Sequence, residues 1–203
     1  MTRRLKSLQE RLGIQVGDPQ AIRRAFVHRS YINESRAAGD ESNERLEFLG
    51  DAIVGYIVAE YLFDRFPQFT EGELSALRAA LVRTETLARA GRRLRLGEYL
   101  LVGRSIDKSG GRQRPHLLAC TFEALVAAIH ADQGLEAARR VVLDALRPEL
   151  DELITGESMR EVVKSAKSRF QEEVLGRWHV TPTYRTVAAE GPDHARRYEA
   201  VVL

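Results

Sequence analysis

Glu44, Glu47 and Asp51 follow one another at i, i+3 and i+7. On a helix these three carboxylates fall within one stripe. Like charges a turn apart repel by a few tenths of a kcal/mol, so such a stripe calls for something that offsets the cost. A hard divalent cation would do so; so would salt bridges on a solvent-facing acidic surface, with Arg45 or a basic residue from elsewhere as partner. A further carboxylate, Glu123, stands among Leu117, Leu118, Leu125, Val126 and Ile129. A carboxylate in so apolar a helix is paired with a base or bound to a metal. Cys120 lies one turn before it.

The charges around these residues are segregated. Positions 40–73 carry nine acids against Arg45 and Arg65, whereas positions 89–115 carry eight bases against Glu98 and Asp107. The formal net charge of +2 conceals this division. Carboxylates that hold cations, followed by bases that dock a backbone, suit a metal-dependent enzyme acting on a phosphate polymer. Solvated surface is the other reading of the same pattern.

The elements that must position these groups are mostly helices. Leu5, Leu8 and Leu12 mark a first helix ended by Gly13, and Asp18-Pro19 opens a second. Apolar residues at helical spacing run from Glu44 to Phe63, with Phe66-Pro67 as the stop. Thr70 and Glu73 form a capping box before Leu74, Leu77 and Leu81. A helix over Thr84–Leu94 precedes Gly97–Pro115, which composition marks as a loop. His116–Gln133 and Leu135–Leu153 complete the helical region. Beyond a linker at 155–163, an amphipathic helix over Val163–Leu175 leads to strands at Pro182–Val187 and Arg197–Val202, flanking a turn at Glu190–His194. His28 and His130 read as packing or hydrogen-bonding histidines.

The 203 residues suffice for one medium domain and a small appendage, and 44% hydrophobic content supplies a core. The single Cys120 excludes a disulfide framework and any multi-cysteine zinc site. With no apolar leader at the N-terminus and no run long enough to span a bilayer, the expected setting is soluble, reducing and cytoplasmic, with no membrane partner.

Asn43-Glu44-Arg45-Leu46-Glu47-Phe48-Leu49-Gly50-Asp51-Ala52 resembles the signature of the ribonuclease III family at nearly every position. Other landmarks follow in the family's order: His28-Arg29-Ser30 with Asn33-Glu34, Glu71 to Arg78, Lys108-Ser109-Gly110-Gly111, and Leu118 to Ala124. Lys167-Ser168-Arg169-Phe170-Gln171-Glu172 resembles the start of the family's double-stranded-RNA-binding domain. The resemblance covers essentially the whole chain.

It implies a mainly α protein: an all-helical endonuclease domain over 1–154 and a partial α+β RNA-binding domain over 164–203. The implied activity is hydrolysis of double-stranded RNA, in rRNA and mRNA processing. The products would carry 5′-phosphate and 3′-hydroxyl ends with short 3′ overhangs. Mg²⁺ is the implied cofactor, with Mn²⁺ as a substitute, and a homodimer the implied assembly. By position, Glu47, Asp51 and Glu123 resemble the metal ligands, Asp51 and Glu123 being catalytic. Glu44 and Glu71 resemble auxiliary acids, and Phe48 the aromatic that enters the partner subunit. Ser75, Arg78, Lys108, Ser168, Gln171 and Glu172 resemble RNA contacts, with Lys108-Ser109-Gly110-Gly111 offering a cation and backbone N–H groups to phosphate.

The chain departs from the pattern twice. Cys120 stands where the family has Asp, and a thiol is a poor ligand for Mg²⁺. The RNA-binding domain stops inside its second strand, which implies weak affinity from that tail. Two alternatives therefore stand beside the enzyme: a duplex-RNA-binding form impaired at Cys120, and a structural ribosome-associated relative.

Overall fold

Glu44–Arg65 (α4) and Pro115–Gln133 (α8) are the two helices around which the first unit packs. A computed structural model describes residues 2–35, 41–155, 174–190 and 197–202. The chain divides into two units, Met1–Met159 and Arg160–Leu203. In the first, α4 and α8 are joined by α1 (Thr2–Leu12), α2 (Pro19–Arg24), α3 (Arg29–Ser35), α5 (Glu71–Val82), α6 (Thr84–Arg93), α7 (Arg104–Lys108) and α9 (Leu135–Thr155).

Helix α8 is buried on nearly every face: Leu118, Phe122 and the run Ala124–Ile129 are fully enclosed. A helix apolar all round belongs inside a larger bundle, and here α4, α6 and α9 enclose it. The approach of α4 is closest at Gly50, where a Cβ would stand 1.8 Å from the carbonyl oxygen of Glu123. Only glycine lets two backbones meet so closely.

The capping box at Thr70 forms as its sequence predicts. The Thr70 hydroxyl accepts from the Glu73 N–H, and the Glu73 carboxylate accepts from the Thr70 N–H at 2.7 Å. The stretch 97–115 differs from the loop that its composition predicts. It contains α7 and two single 3₁₀ turns, Leu96–Glu98 and Gly111–Gln113. Contacts with α3 explain the difference. Glu34 accepts from the Arg104 N–H at 2.8 Å and Ser30 Oγ from the Gly103 N–H at 2.8 Å, so α3 satisfies the first turn of α7. A parallel bridge between Val27 and Leu101 fixes the same stretch from the other side.

Behind the bundle, Glu149 on α9 is buried and takes the guanidinium groups of Arg89 at 3.0 Å and Arg93 at 2.6 Å, both on α6. Burial opposes the Glu149 charge. The hydrogen bonds from Arg93 and Arg89 outweigh it and hold the carboxyl below its usual range.

In the second unit, residues 174–178 are helical, and Tyr184–Glu190 (β1) pairs antiparallel with Arg197–Val202 (β2). Pro182 precedes the ladder instead of opening it, in keeping with its missing N–H donor. A bulge between Thr186 and Ala188 shifts the register. The turn at 191–196 and most of the expected Val163–Leu175 helix lie outside the described residues. So do Ser168, Gln171, Glu172 and the linker beyond Thr155.

Two stability measurements check this packing. Gly50→Ala forces α4 and α8 apart and should cost more than about 2 kcal/mol in urea unfolding, as overpacking does. The same methyl at Gly72, which meets nothing within 4 Å, should be tolerated. Glu149→Gln should cost about 1–3 kcal/mol at pH 7. Because the native carboxyl titrates below the unfolded one, that difference should shrink as pH falls through the usual carboxylate range and below it.

Candidate metal centre

The N-terminus of α4 is held in place before any charge is considered. Asn43 is buried; its Nδ2 donates to the Ala25 carbonyl at 3.1 Å and its N–H to the Val27 carbonyl at 2.8 Å. Its own carbonyl accepts from the Glu47 N–H at 2.8 Å. The first turn of α4 is thereby tied to the end of α2. Glu44, Glu47 and Asp51 then project along one side, as their spacing predicts.

Glu123 enters from α8 at the level where Gly50 lets the two helices meet. A cavity of about 750 Å³ opens there. Glu44, Glu47 and Asp51 line it from α4, and His116, Cys120 and Glu123 from α8. His28, Arg29, Ile106 and Arg114 complete its rim. The ligand atoms of Glu47, Cys120 and Glu123 all lie within 4.8 Å of one another. Asp51 is exposed and outside that trio, yet its charge is felt within it.

The carboxyl of Glu123 is pushed up to about 7, first by burial and then by the negative charges of Asp51 and Glu47. Burial likewise raises the Cys120 thiol, as do its hydrogen bond to Glu47 and the charges of Glu47 and Glu123. The thiol is therefore protonated at neutral pH and donates to Glu47. His116 lies beside it, with Nδ1 3.5 Å from Sγ. His28 Nδ1 accepts from the Ser30 N–H at 3.1 Å, which puts the proton of the neutral ring on Nε2. Burial lowers its pKa, with Arg29 adding to the effect, against the raising influence of Glu44 and Glu47.

The other predicted site residues are placed unevenly. Glu44 accepts from Ser42 Oγ at 2.8 Å and faces Arg29 at 3.5 Å, so the basic partner is not its helix neighbour Arg45. Glu71 is exposed at the start of α5 and accepts from Ser75 Oγ at 2.9 Å; neither lines the cavity, nor does the exposed Arg78. Lys108 is exposed at the end of α7. Two of the backbone N–H groups that the Gly-Gly motif offers to phosphate are taken within the chain. Those of Ser109 and Gly110 donate to Ser105 and Asp107 carbonyls and close the helix, with Gly110 at φ +68°. Phe48 is 83% exposed at the cavity's edge, and Leu49, Tyr56 and Phe63 extend an apolar surface along α4.

Sequence reasoning passed over Arg29, Arg114 and His116, which line the cavity. His116 carried a readable signal, since it precedes Cys120 by four positions, and i, i+4 residues share a helix face. Arg114 was one of the eight bases of 89–115 and Arg29 part of the His28-Arg29-Ser30 landmark, but neither signal placed them at this cavity, because the packing that brings them there is tertiary.

The comparisons with known proteins agree with this geometry. The ribonuclease-III-like family model matches residues 18–150. Ribonuclease 3 of Geobacter metallireducens is 42% identical over 197 residues, spanning 97% of this chain and 78% of that protein. Ribonuclease 3 of a Roseiflexus species is 42% identical over 204 residues, spanning 100% and 84%. Among solved structures, the nuclease domain of ribonuclease III from Campylobacter jejuni aligns with a TM-score of 0.67 and 34% identity. It covers 73% of this chain and 99% of that one, and is described as having structural flexibility in a region involved in dimer formation. With its acidic cavity between α4 and α8, this chain belongs to the ribonuclease III family and is a double-stranded-RNA endoribonuclease of that type.

Proposed function

We propose that the α4–α8 cavity is the hydrolytic centre, that it works with Mg²⁺, and that the chain acts as a homodimer in RNA maturation and decay in the cytoplasm. The observation that carries this reading is the convergence of Glu47, Asp51 and Glu123 on one cavity, where burial first and the charges of Asp51 and Glu47 second push the Glu123 carboxyl up to about 7. Mutual repulsion of this kind is what a divalent cation offsets. Carboxylate oxygens are the ligands Mg²⁺ takes, and it needs only one or two of them beside its waters. The donor set therefore fits even with Cys120 in place of a carboxylate.

In this reading Glu47 and Glu123 hold the cation and Asp51 completes the acidic face. When bound, Mg²⁺ lowers the pKa of a water and neutralises charge building on the phosphate. Arg29 and Arg114 at the rim, with Lys108 on α7, dock the phosphate backbone. Such contacts carry no sequence information and suit a duplex read by shape and 2′-hydroxyls. Glu44 orients Arg29 through their ion pair. Glu71, Ser75 and Arg78 lie on α5 outside the cavity of their own subunit, so any role at a scissile strand falls to a bound duplex or to the partner's centre. The products expected are 5′-phosphate and 3′-hydroxyl ends with short 3′ overhangs.

The apolar surface of Phe48, Leu49, Tyr56 and Phe63 supports the dimer, because side chains as large as Phe48 at 83% and Phe63 at 69% exposure are costly in water. We assign positions 164–203 to a partial RNA-binding domain; the β1–β2 hairpin supports that assignment. A binder disabled at Cys120 is not favoured, since the retained acids still converge.

Cleavage of duplex RNA by the chain and its Cys120→Asp variant, in Mg²⁺ and in Mn²⁺, tests the reading. The parent should cut, and Glu123→Gln or Glu47→Gln should each lower kcat by about 100-fold or more. Absence of cleavage by both parent and Cys120→Asp would refute it. Because a proton competes with the cation at Glu123, Mg²⁺ affinity should fall as pH drops below about 7. Calorimetry at pH 6 should show proton release on binding that Glu123→Gln abolishes. Phe48→Ala should sediment as a monomer where the parent is a dimer.

A further inference from the structure

Three donors other than Cys120 surround the position where the family has an aspartate. His116, Cys120 and Glu123 stand at i, i+4 and i+7 on α8, so imidazole, thiol and carboxylate share one face. Glu47 reaches in from α4. Its oxygen, the Cys120 sulfur and a Glu123 oxygen lie within 4.8 Å of one another. His116 Nδ1 is 3.5 Å and Nε2 3.8 Å from the same sulfur. Tetrahedral zinc bonds of about 2.3 Å to sulfur and about 2.0 Å to nitrogen or oxygen set neighbouring donors about 3.3–3.8 Å apart. The His116–Cys120 spacing already lies in that interval, and the Glu47, Cys120 and Glu123 atoms need draw together by at most about 1.5 Å.

Mg²⁺ leaves the thiol and imidazole unused, whereas zinc-class ions prefer them. We propose that Glu47, His116, Cys120 and Glu123 form a site for a thiophilic divalent cation of the zinc class, which competes with Mg²⁺ and blocks the nuclease. This rests on the cavity being the cation site of the proposed function. On binding, the metal–sulfur bond forms as the thiol proton leaves to solvent, with no change of oxidation state. Four protein ligands close the coordination sphere, as in structural zinc sites, and leave no open position for a hydrolytic water. An aspartate at position 120 would replace the sulfur with oxygen, leave His116 as the one nitrogen donor among carboxylates, and weaken that preference.

Co²⁺ titration of the reduced full-length chain tests the site, with cobalt as the spectroscopic probe. The parent should develop a thiolate-to-cobalt charge-transfer band that Zn²⁺ removes at one equivalent and that about 100-fold excess Mg²⁺ leaves in place. Cys120→Ser and Cys120→Asp, shown folded by circular dichroism, should lack the band. His116→Ala should weaken cobalt binding by about 10-fold or more. Absence of the band in the folded parent, its survival in Cys120→Ser, or unchanged affinity in His116→Ala would overturn the proposal. In Mg²⁺-supported cleavage, Cys120→Asp should need about 10-fold more Zn²⁺ for half-inhibition than the parent; equal sensitivity would count against it. The band is read without RNA, so the two readings fail separately. A band without cleavage under any cation supports the site and refutes the nuclease reading of the cavity. Cleavage without a band refutes the site alone.

Discussion

The close passage of α4 over α8 at Gly50 is the constraint on which the rest of the first unit depends. With no Cβ, α4 settles against the backbone of Glu123 itself. Glu47, three residues before the contact, and Asp51, just after it, are thereby brought to bear on Glu123. A wider crossing would leave two separate acidic surfaces, each hydrated. The narrow one makes the carboxylates share a cavity and makes their charges interact through partly dehydrated space. Packing creates the electrostatics here.

That arrangement would be costly if nothing supported the helix ends around it. Asn43 ties the start of α4 to α2, and the Val27–Leu101 bridge ties α2 to the segment before α7. Ser30 links His28 to the Gly103 N–H, while Glu34 caps α7. Polar groups left over at helix ends are satisfied by one another, so the rim that carries Arg29, Ile106 and Arg114 is fixed by hydrogen bonds more than by apolar burial. On the far side, the Arg89–Arg93–Glu149 cluster holds α6 to α9 and keeps α8 enclosed. The site is thus braced from both sides.

Cys120 sets the chemical character of this cavity. Burial and neighbouring carboxylates keep the thiol protonated, so toward oxygen-seeking cations it acts as a small neutral donor to Glu47. Toward sulfur-seeking cations the same position becomes the strongest ligand present. One side chain thus divides the cations the cavity would accept into two classes. The dividing property is first the hardness of the donor atom, and with it the number of protein ligands each class takes.

Much of this was legible in the sequence, because local rules govern it. The stripe of Glu44, Glu47 and Asp51, the capping box at Thr70 and the hairpin residues follow from periodicity and turn chemistry. The ten residues around Glu47 and Asp51 carried the family, and with it the expected pairing of α4 with Glu123. What the sequence left open was decided by contacts between residues far apart in the chain. Gly97–Pro115 reads as loop because its own residues cannot cap a helix; Glu34 and Ser30, about seventy positions earlier, do so. The Gly-Gly motif after Lys108 suggests open N–H groups, but those of Ser109 and Gly110 close α7. Arg29 and Arg114 reach the cavity through the tertiary fold, whereas His116 shares a helix face with Cys120. Sequence determined which residues could do chemistry and on which helix faces they lie. The tertiary structure decided which faces meet, since that depends on one missing side chain at Gly50 and on hydrogen bonds that no local pattern encodes.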